Sequence, residues 1–336
     1  MLEAARGGDE DAFRQIVDRH RGLLHAHCYR MLGSVHDADD ALQDTLVKAW
    51  RGLPGFDGRS TLRTWLYTIA TNVCRDAIGR RPRRVLPIDR GTPAAPGQEP
   101  GEPLVETVWI EPYADERLDL ADGAAPPDAR YEQREALELA FIAALQHLSG
   151  NQRAVLILRE VLGFSAREVA DSLDTTVPSV NSALQRARKA VAERLPSRSQ
   201  QSTLRSVGDR RIRELVAAYI EAWSQGDVDA VRTLLAEDAV FSMPPWAAWW
   251  RGRETIAGFA ADAAKMCPPT LAVPVSANGQ PAVAYFGLND ETGTYRALAI
   301  DVLDFDGESV SAITAFITPS VFAPFGLPEE LACAIR

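Results

Sequence analysis

The sequence is short of several things, and each shortage removes a class of chemistry. Its five histidines, His20, His25, His27, His36 and His147, all precede residue 148, so the rest of the chain has no imidazole for general-base or metal-ligand work. The four cysteines, Cys28, Cys74, Cys267 and Cys333, lie far apart without Cys-x-x-Cys spacing, which argues against a zinc site or a disulfide framework and fits a reducing cytoplasm. No apolar run approaches the length of a membrane span. The first residues are charged and carry no apolar h-region, so no secretory leader is expected, and a cytoplasmic location is. Positive charge is also in deficit: 46 acidic against 36 basic side chains leave a net charge of −10, unfavourable for a free-standing nucleic-acid binder.

The distribution of charge matters more than its sum. Arg75, Arg80, Arg81, Arg83 and Arg84 form one basic cluster, and Arg186, Arg188, Lys189 and Arg194 form another. Carboxylates concentrate between Glu99 and Asp128, where Arg117 is the one basic residue. Basic patches beside a masking acidic segment predict weak binding to free DNA and a partner that presents the chain to DNA.

At 336 residues the chain has room for two or three domains. From about Asp9 to Arg81 it reads as helical, with breaks at Gly33-Ser34 and Leu53-Pro54-Gly55. From about Pro82 to Ala129 it is rich in proline, glycine and acid, an extended linker with an unusually aromatic insert, Trp109-Ile110-Glu111-Pro112-Tyr113. Helical periodicity returns from Tyr131 to about Leu195, and a polar segment, Pro196 to Ser202, separates it from a third region. There two helices, Asp209 to Ser224 and Val228 to Leu235, precede strand-like runs at 239–243, 271–277, 282–288, 295–305 and 310–317, with Asp306-Gly307 as a hairpin turn. Helices followed by antiparallel strands predict an α+β domain.

The most telling stretch runs from Phe164 to Lys189. Ser165 with Glu168 forms a capping box, Thr176 is a second N-cap, and Pro178 sits in the first turn of the next helix. Val180, Leu184, Ala187 and Val191 recur at helical spacing and face inward. Ser179, Ser182, Gln185, Arg186 and Lys189 are left outward, flanked by Asn181 and Arg188. This is the pattern of a helix-turn-helix offering amides and guanidiniums to base edges and hydroxyls and cations to phosphates; an ordinary helical hairpin with a solvated polar face is the other reading.

The helical parts resemble the extracytoplasmic-function subfamily of sigma-70-type sigma factors. Asp37-Ala38-Asp39-Asp40-Ala41-Leu42-Gln43-Asp44 is similar to the family's Asp-Ala-Glu-Asp…Gln-Glu helix, with Asp39 in place of Glu. Phe56 to Ser60 and Leu62 to Asn72 resemble its promoter-melting segment. The resemblance implies two all-α sigma domains and no enzymatic role. It implies polymerase contacts at Asp37, Asp40, Gln43 and Asp44, which share one helix face. It implies −10 contacts at Arg59, Ser60, Thr61, Arg63 and Asn72, and −35 contacts at Ser179, Asn181, Ser182, Gln185, Arg186, Arg188 and Lys189. The implied partners are core RNA polymerase, through its β′ clamp and β flap, and promoter DNA; no membrane, cofactor or metal is implied.

The third region resembles the SnoaL-like branch of the cone-shaped α+β (NTF2-like) fold through Trp249 to Glu254 and the ending Ala315-Phe316 to Pro328. The aromatic insert resembles the linker motif of the SigG-like subgroup, with Trp109, Pro112 and Tyr113 as regulatory linker residues that seat the linker against a domain. Asp301 alternates onto the face of Leu303 and Phe305 as a lone acid, and Tyr219, Trp223, Trp249 and Asp301 are the candidate lining of a small-ligand pocket. Without a visible second catalytic group, no catalytic residue is assigned. The domains expected are 9–81, a linker 82–130, 131–196 and 204–336. A stand-alone helix-turn-helix regulator with a ligand-sensing cone is the alternative, and a cyclase or isomerase fused to a DNA-binding module is a third.

Overall fold

The computed structural model describes residues 1–105, 108–118, 132–266 and 269–332; the acidic stretch 119–131, Cys267 and Cys333 lie outside them. The described chain falls into two compact units, residues 1–84 with 116–196, and residues 85–115 with 197–336.

The first unit is helical. Helices α1 (Leu2–Arg6), α2 (Glu10–Leu32), α3 (Val35–Gly52) and α4 (Leu62–Ile78) form its first part. Each of the three long helices starts on a side-chain cap: Asp9, Ser34 and Thr61 accept from the backbone N–H three residues on. Gly33 ends α2 in the left-handed region, where a side chain would be strained. Helices α5 (Leu139–Gln146), α6 (Gly150–Leu156), α7 (Ala166–Ser172) and α8 (Val177–Ala192) form the second part. Both expected caps are present, the Ser165–Glu168 box on α7 and Thr176 on α8, and Val180, Leu184, Ala187 and Val191 are buried.

The second unit is α+β. Helices α9 (Gln200–Val207), α10 (Asp209–Gln225) and α11 (Val228–Leu234) lead into β1 (Leu235–Ser242) and β2 (Trp249–Arg251). Helix α12 (Arg253–Met266) follows, then β3 (Thr270–Ala277), β4 (Gln280–Asn289), β5 (Thr294–Asp306), β6 (Ser309–Phe316) and β7 (Glu330–Ala332). The strands form one mixed sheet in the order β2-β1-β6-β5-β4-β3, with β7 beside β5 and β1–β6 parallel. Its core gathers Leu215, Tyr219, Phe241, Trp250, Ile256, Tyr285, Leu303 and Ile313, so α10 and α12 bury their apolar faces against the sheet.

Three features depart from the sequence reading. The polar segment expected to separate the domains enters α9, capped by Ser199, and two of its residues are buried because strand ends supply their partners: Gln200 Nε2 donates to the Phe305 carbonyl at 3.0 Å and Gln201 donates to the Gly279 carbonyl. Helix α12 is not among the expected elements, although Ile256, Ala257 and Ala260 mark a buried stripe. The Asn278-Gly279 turn between β3 and β4 has both residues at positive φ, which this dipeptide accommodates.

Candidate functional site

Helix α3 carries the candidate docking face. Ala38, Ala41, Leu42, Thr45 and Ala49 turn inward, which leaves Asp40, Gln43 and Asp44 exposed. With Lys48, Asp76, Arg80 and Arg81 they line a groove of about 400 Å³. Asp37 differs from the others: its side chain is 11% exposed and ion-paired to Arg84 at 2.6 Å and to Arg81. It therefore anchors the chain leaving α4 as well as rimming the groove. Asp39 is tied to Arg117 and His25 at 3.0 and 3.1 Å. Burial holds the His25 imidazole below its ordinary range, so this ring is neutral at physiological pH and Arg117 supplies the cation.

At the start of α4, Arg59 pairs with Asp57 at 2.5 Å, and Ser60 and Thr61 are exposed. Asn72 Oδ1 accepts from Arg75 at 3.1 Å. Arg63 is engaged within the unit: its Nη2 donates to the Leu162 carbonyl at 3.1 Å, and its guanidinium lies over the rings of Tyr67 and Phe164 at 5.3 and 4.9 Å. On the same face Thr64 Oγ1 meets Glu168 at 3.4 Å, Thr68 Oγ1 meets Ser172 Oγ at 2.8 Å, and Tyr67 meets Phe164 edge-on at 5.8 Å. The helix-turn-helix thus closes over the Arg63, Thr64 and Thr68 face of α4. Deeper, the Arg153 guanidinium joins the two parts, donating to the carbonyls of Met31, Gln146 and Leu148 and to Gln146 Oε1. Burial lowers its pKa to about 10, which still leaves it charged. Arg30 bridges the same seam, from α2 to the carbonyls of Ala136 and Gln133 at 3.0 and 3.1 Å. No sequence periodicity marks these two buried arginines, since their contacts across the seam are to backbone carbonyls far along the chain.

Helix α8 presents Ser179, Asn181, Ser182, Gln185, Arg186, Arg188 and Lys189 on its exposed face. Ser179 closes the first turn with Thr176, and Arg188 pairs with Glu160 at 2.7 Å.

In the second unit the linker is lashed to the cone as a strap. The indole N–H groups of Trp246 and Trp249 donate to the carbonyls of Gly101 and Gly91, each at 3.0 Å. The backbone N–H groups of Ala94 and Leu104 donate to the carbonyls of Trp249 and Pro245 at 2.7 and 2.9 Å. Tyr113, fully buried, exchanges two hydrogen bonds with Asn278, and Asp115 accepts from Gly279 N–H at 2.7 Å. Pro112 is buried beside it, and Trp109 pairs with Val85 and donates to the Leu104 carbonyl at 3.1 Å.

Within the cone, Tyr219 Oη donates to Asp301 Oδ2 at 2.7 Å. Burial pushes the Asp301 carboxyl up to about 7, partly offset by that hydrogen bond, and desolvation pushes the half-buried Asp304 up to about 6. Trp223 stacks on Phe241 and meets the Tyr219 ring at a tilt, each 5.8 Å away. Trp249 does not join this group; it lies on the other side of the pleat at the strap, and Trp250 instead packs into the core. Tyr285, which the sequence reading did not select, lies near Asp301 and has no hydrogen-bond partner among the described residues. Strand alternation alone could have placed it on the inward face.

The comparisons with known proteins follow this architecture. Residues 16–84 match Sigma-70 region 2, residues 138–191 match Sigma-70, region 4, and residues 216–313 match a SnoaL-like domain, which together define a two-part sigma factor with an α+β appendage. The chain is 40% identical over 332 residues, 97% of its length and 86% of the relative's, to the ECF RNA polymerase sigma factor SigG of Mycobacterium tuberculosis. It is 30% identical over 196 residues to SigW of Bacillus subtilis, covering 58% of this chain and 94% of that one. The crystal structure of the Mycobacterium tuberculosis sigma factor SigJ shares the fold, with a TM-score of 0.64 at 22% identity over 94% of this chain and 99% of that one. The chain belongs to the ECF RNA polymerase sigma factors. Among the described residues no helix is long and apolar enough to cross a membrane.

Proposed function

We propose that this chain binds core RNA polymerase in the cytoplasm and directs it to specific promoters, and that its third domain regulates this activity rather than catalysing a reaction. Asp40, Gln43 and Asp44, with Asp37 at their edge, dock on the β′ clamp, and the region 4 domain meets the β flap. Arg59, Ser60, Thr61, Arg63 and Asn72 capture the melted −10 strand, and the outer face of α8 reads the −35 element in the major groove. The observation that carries the reading is α8 itself: Val180, Leu184, Ala187 and Val191 are buried while seven polar or cationic residues point to solvent, on a helix entered by a capped turn. The Tyr219–Asp301 pair with Trp223 supports a small ligand as the regulatory signal.

Run-off transcription with core polymerase tests this. The full chain is expected to support promoter-dependent transcripts, and Arg186→Ala to lose about 1–3 kcal/mol of discrimination among promoter variants. No transcript above core polymerase alone removes the assignment of roles. Unchanged selectivity with uniformly weaker binding moves Arg186 from base edge to phosphate.

A further inference from the structure

The chain leaves the second unit once and comes back to it, and both crossings are fastened to one turn. Asp115 is the last residue before the chain departs for the region 4 helices, and Ser197 is the first after it returns. Just before departure, Tyr113 exchanges hydrogen bonds with Asn278 at 2.8 and 2.9 Å, and Ala114 bridges to Ala277. Asp115 Oδ1 then accepts from the Gly279 N–H at 2.7 Å. Just after the return, the Gln201 side chain donates to the Gly279 carbonyl. Its neighbour Gln200 exchanges two hydrogen bonds with the Phe305 backbone, at 2.7 and 3.0 Å. Asn278 is fully buried, and Gln200 and Gln201 are buried too. Buried amides paired in this way are costly to part, because each parting leaves a polar group without a partner. Gly279 thus holds the outgoing chain on its N–H and the returning helix on its carbonyl.

The tethers from this unit to the two promoter-reading elements are short. Arg84, ion-paired to Asp37 at 2.6 Å, is followed directly by Val85, whose backbone pairs with Val108 and Ile110 of the strap at 3.2 and 3.1 Å. Residues 193–199 alone lie between α8 and α9, a span of about 30 Å at full extension. Without the turn, regions 2 and 4 would be joined by a long coil, which is indifferent to a few ångströms because its closure entropy varies with the logarithm of its length. With the turn, both tethers start from one folded body. Each added base pair moves one promoter element by about 3.4 Å and rotates it by roughly 35° about the duplex axis relative to the other. A coil absorbs such a step, and two short tethers on a common body resist it.

We infer that the Asn278-Gly279 turn is a specificity-determining site that fixes the length of spacer this chain accepts between the −10 and −35 elements. The inference rests on the promoter-reading roles proposed above for α4 and α8, and adds a spacer length to them. Tyr113, Asp115 and Gln201 are positioning residues in this role: they hold the chain crossings, and base contact is left to α4 and α8.

Holoenzyme made with the full chain first selects its best promoter from a randomised library. The spacer of that promoter is then shortened and lengthened by one and two base pairs, and run-off transcripts are counted at each length. The full chain is expected to lose about tenfold in output per base pair, the value of one base-edge contact. The double variant Asn278→Gly/Gln201→Leu keeps the positive φ at the turn but removes the acceptor for Tyr113 and the donor to Gly279. It is expected to lose no more than about threefold per base pair, with output at the best spacer within about twofold of the full chain. A second protein carries about six Gly/Ser residues inserted between the exposed Pro196 and Ser197, which adds roughly 13 Å of slack and alters no packed side chain. It is expected to flatten the profile likewise, and it carries the test if the melting temperature of the double variant falls. A flat profile for the full chain overturns the inference, and so does an equally steep one in all three proteins, which assigns spacing to core polymerase alone. A steep profile kept only by the insertion protein overturns the tether argument, and one kept only by a folded double variant overturns the role of the turn. No transcript from any promoter overturns the proposed function and the inference with it, a result distinct from transcripts at every spacing.

Discussion

At the scale of single residues, the informative groups are buried charges. Asp301 has a folded pKa near 7 against about 3.9 for an unfolded aspartate, so the folded state holds the proton longer. Its sign is therefore destabilising: the cone loses stability as pH rises from about 4 to 7, at roughly 1.4 kcal/mol per pH unit for this group, and is level above that. Asp304 adds a similar loss up to about pH 6. Asp301→Asn, which still accepts from Tyr219, is expected to gain on the wild type steadily over that window. Chemical denaturation followed by tryptophan fluorescence at several pH values reads it, and a pH-independent difference between the two proteins contradicts it. The inward position of Asp301 was legible from its alternation with Leu303 and Phe305. Its partner was not, because Tyr219 reaches it from a helix far along the chain, and no local pattern encodes that meeting.

At the scale of elements, the seam between α4 and the helix-turn-helix matters most. Its contacts are each modest: a neutral hydrogen bond and an aromatic pair contribute about 1 kcal/mol apiece, and an exposed cation–π contact about 0.5–1 kcal/mol. Together they are of the size that tight polymerase binding can overcome, and they occupy Arg63, Thr64 and Thr68 until it does. Thr68 and Ser172 have hydroxyls 2.8 Å apart, close enough to test with a disulfide. Oxidised Thr68→Cys/Ser172→Cys is expected to lower open promoter complexes about tenfold, with recovery on reduction. Equal open-complex yield in the oxidised and reduced forms, scored by permanganate footprinting, contradicts the closed-seam reading. Much of this level was readable in advance. The Ser165–Glu168 box, the Thr176 cap and the buried stripe of α8 followed from spacing alone. The closure of one helical part on the other did not, since Arg30 and Arg153 bind backbone carbonyls that any sequence would offer.

At the scale of the whole chain, the strap decides how the third domain can act. The sequence reading takes 82–130 as an extended linker seated against a domain only through Trp109, Pro112 and Tyr113, whereas all of 85–115 falls in one unit with residues 197–336. The reason is specific: two indoles at the sheet edge and Asn278 at a hairpin supply partners for their backbone. A chain ending at Pro196 keeps both sigma parts but loses every one of those partners. Its run-off output at matched concentration is expected to differ from that of the full chain by at least about threefold, the effect of one lost hydrogen bond or less. Identical output would detach the third domain from transcription.

The strap also sets an order of events during synthesis. Gly91, Ala94 and Gly101 leave the ribosome well before the tryptophans at 246 and 249 that will hold them exist. At about 5–20 residues per second, that interval is on the order of ten seconds. Through it the nascent chain gains its two helical parts on either side of an untethered acidic segment, but no cone. A newborn molecule is thus a different object from a finished one, and a ribosome that stalls or terminates before β2 releases a form whose middle has no seat.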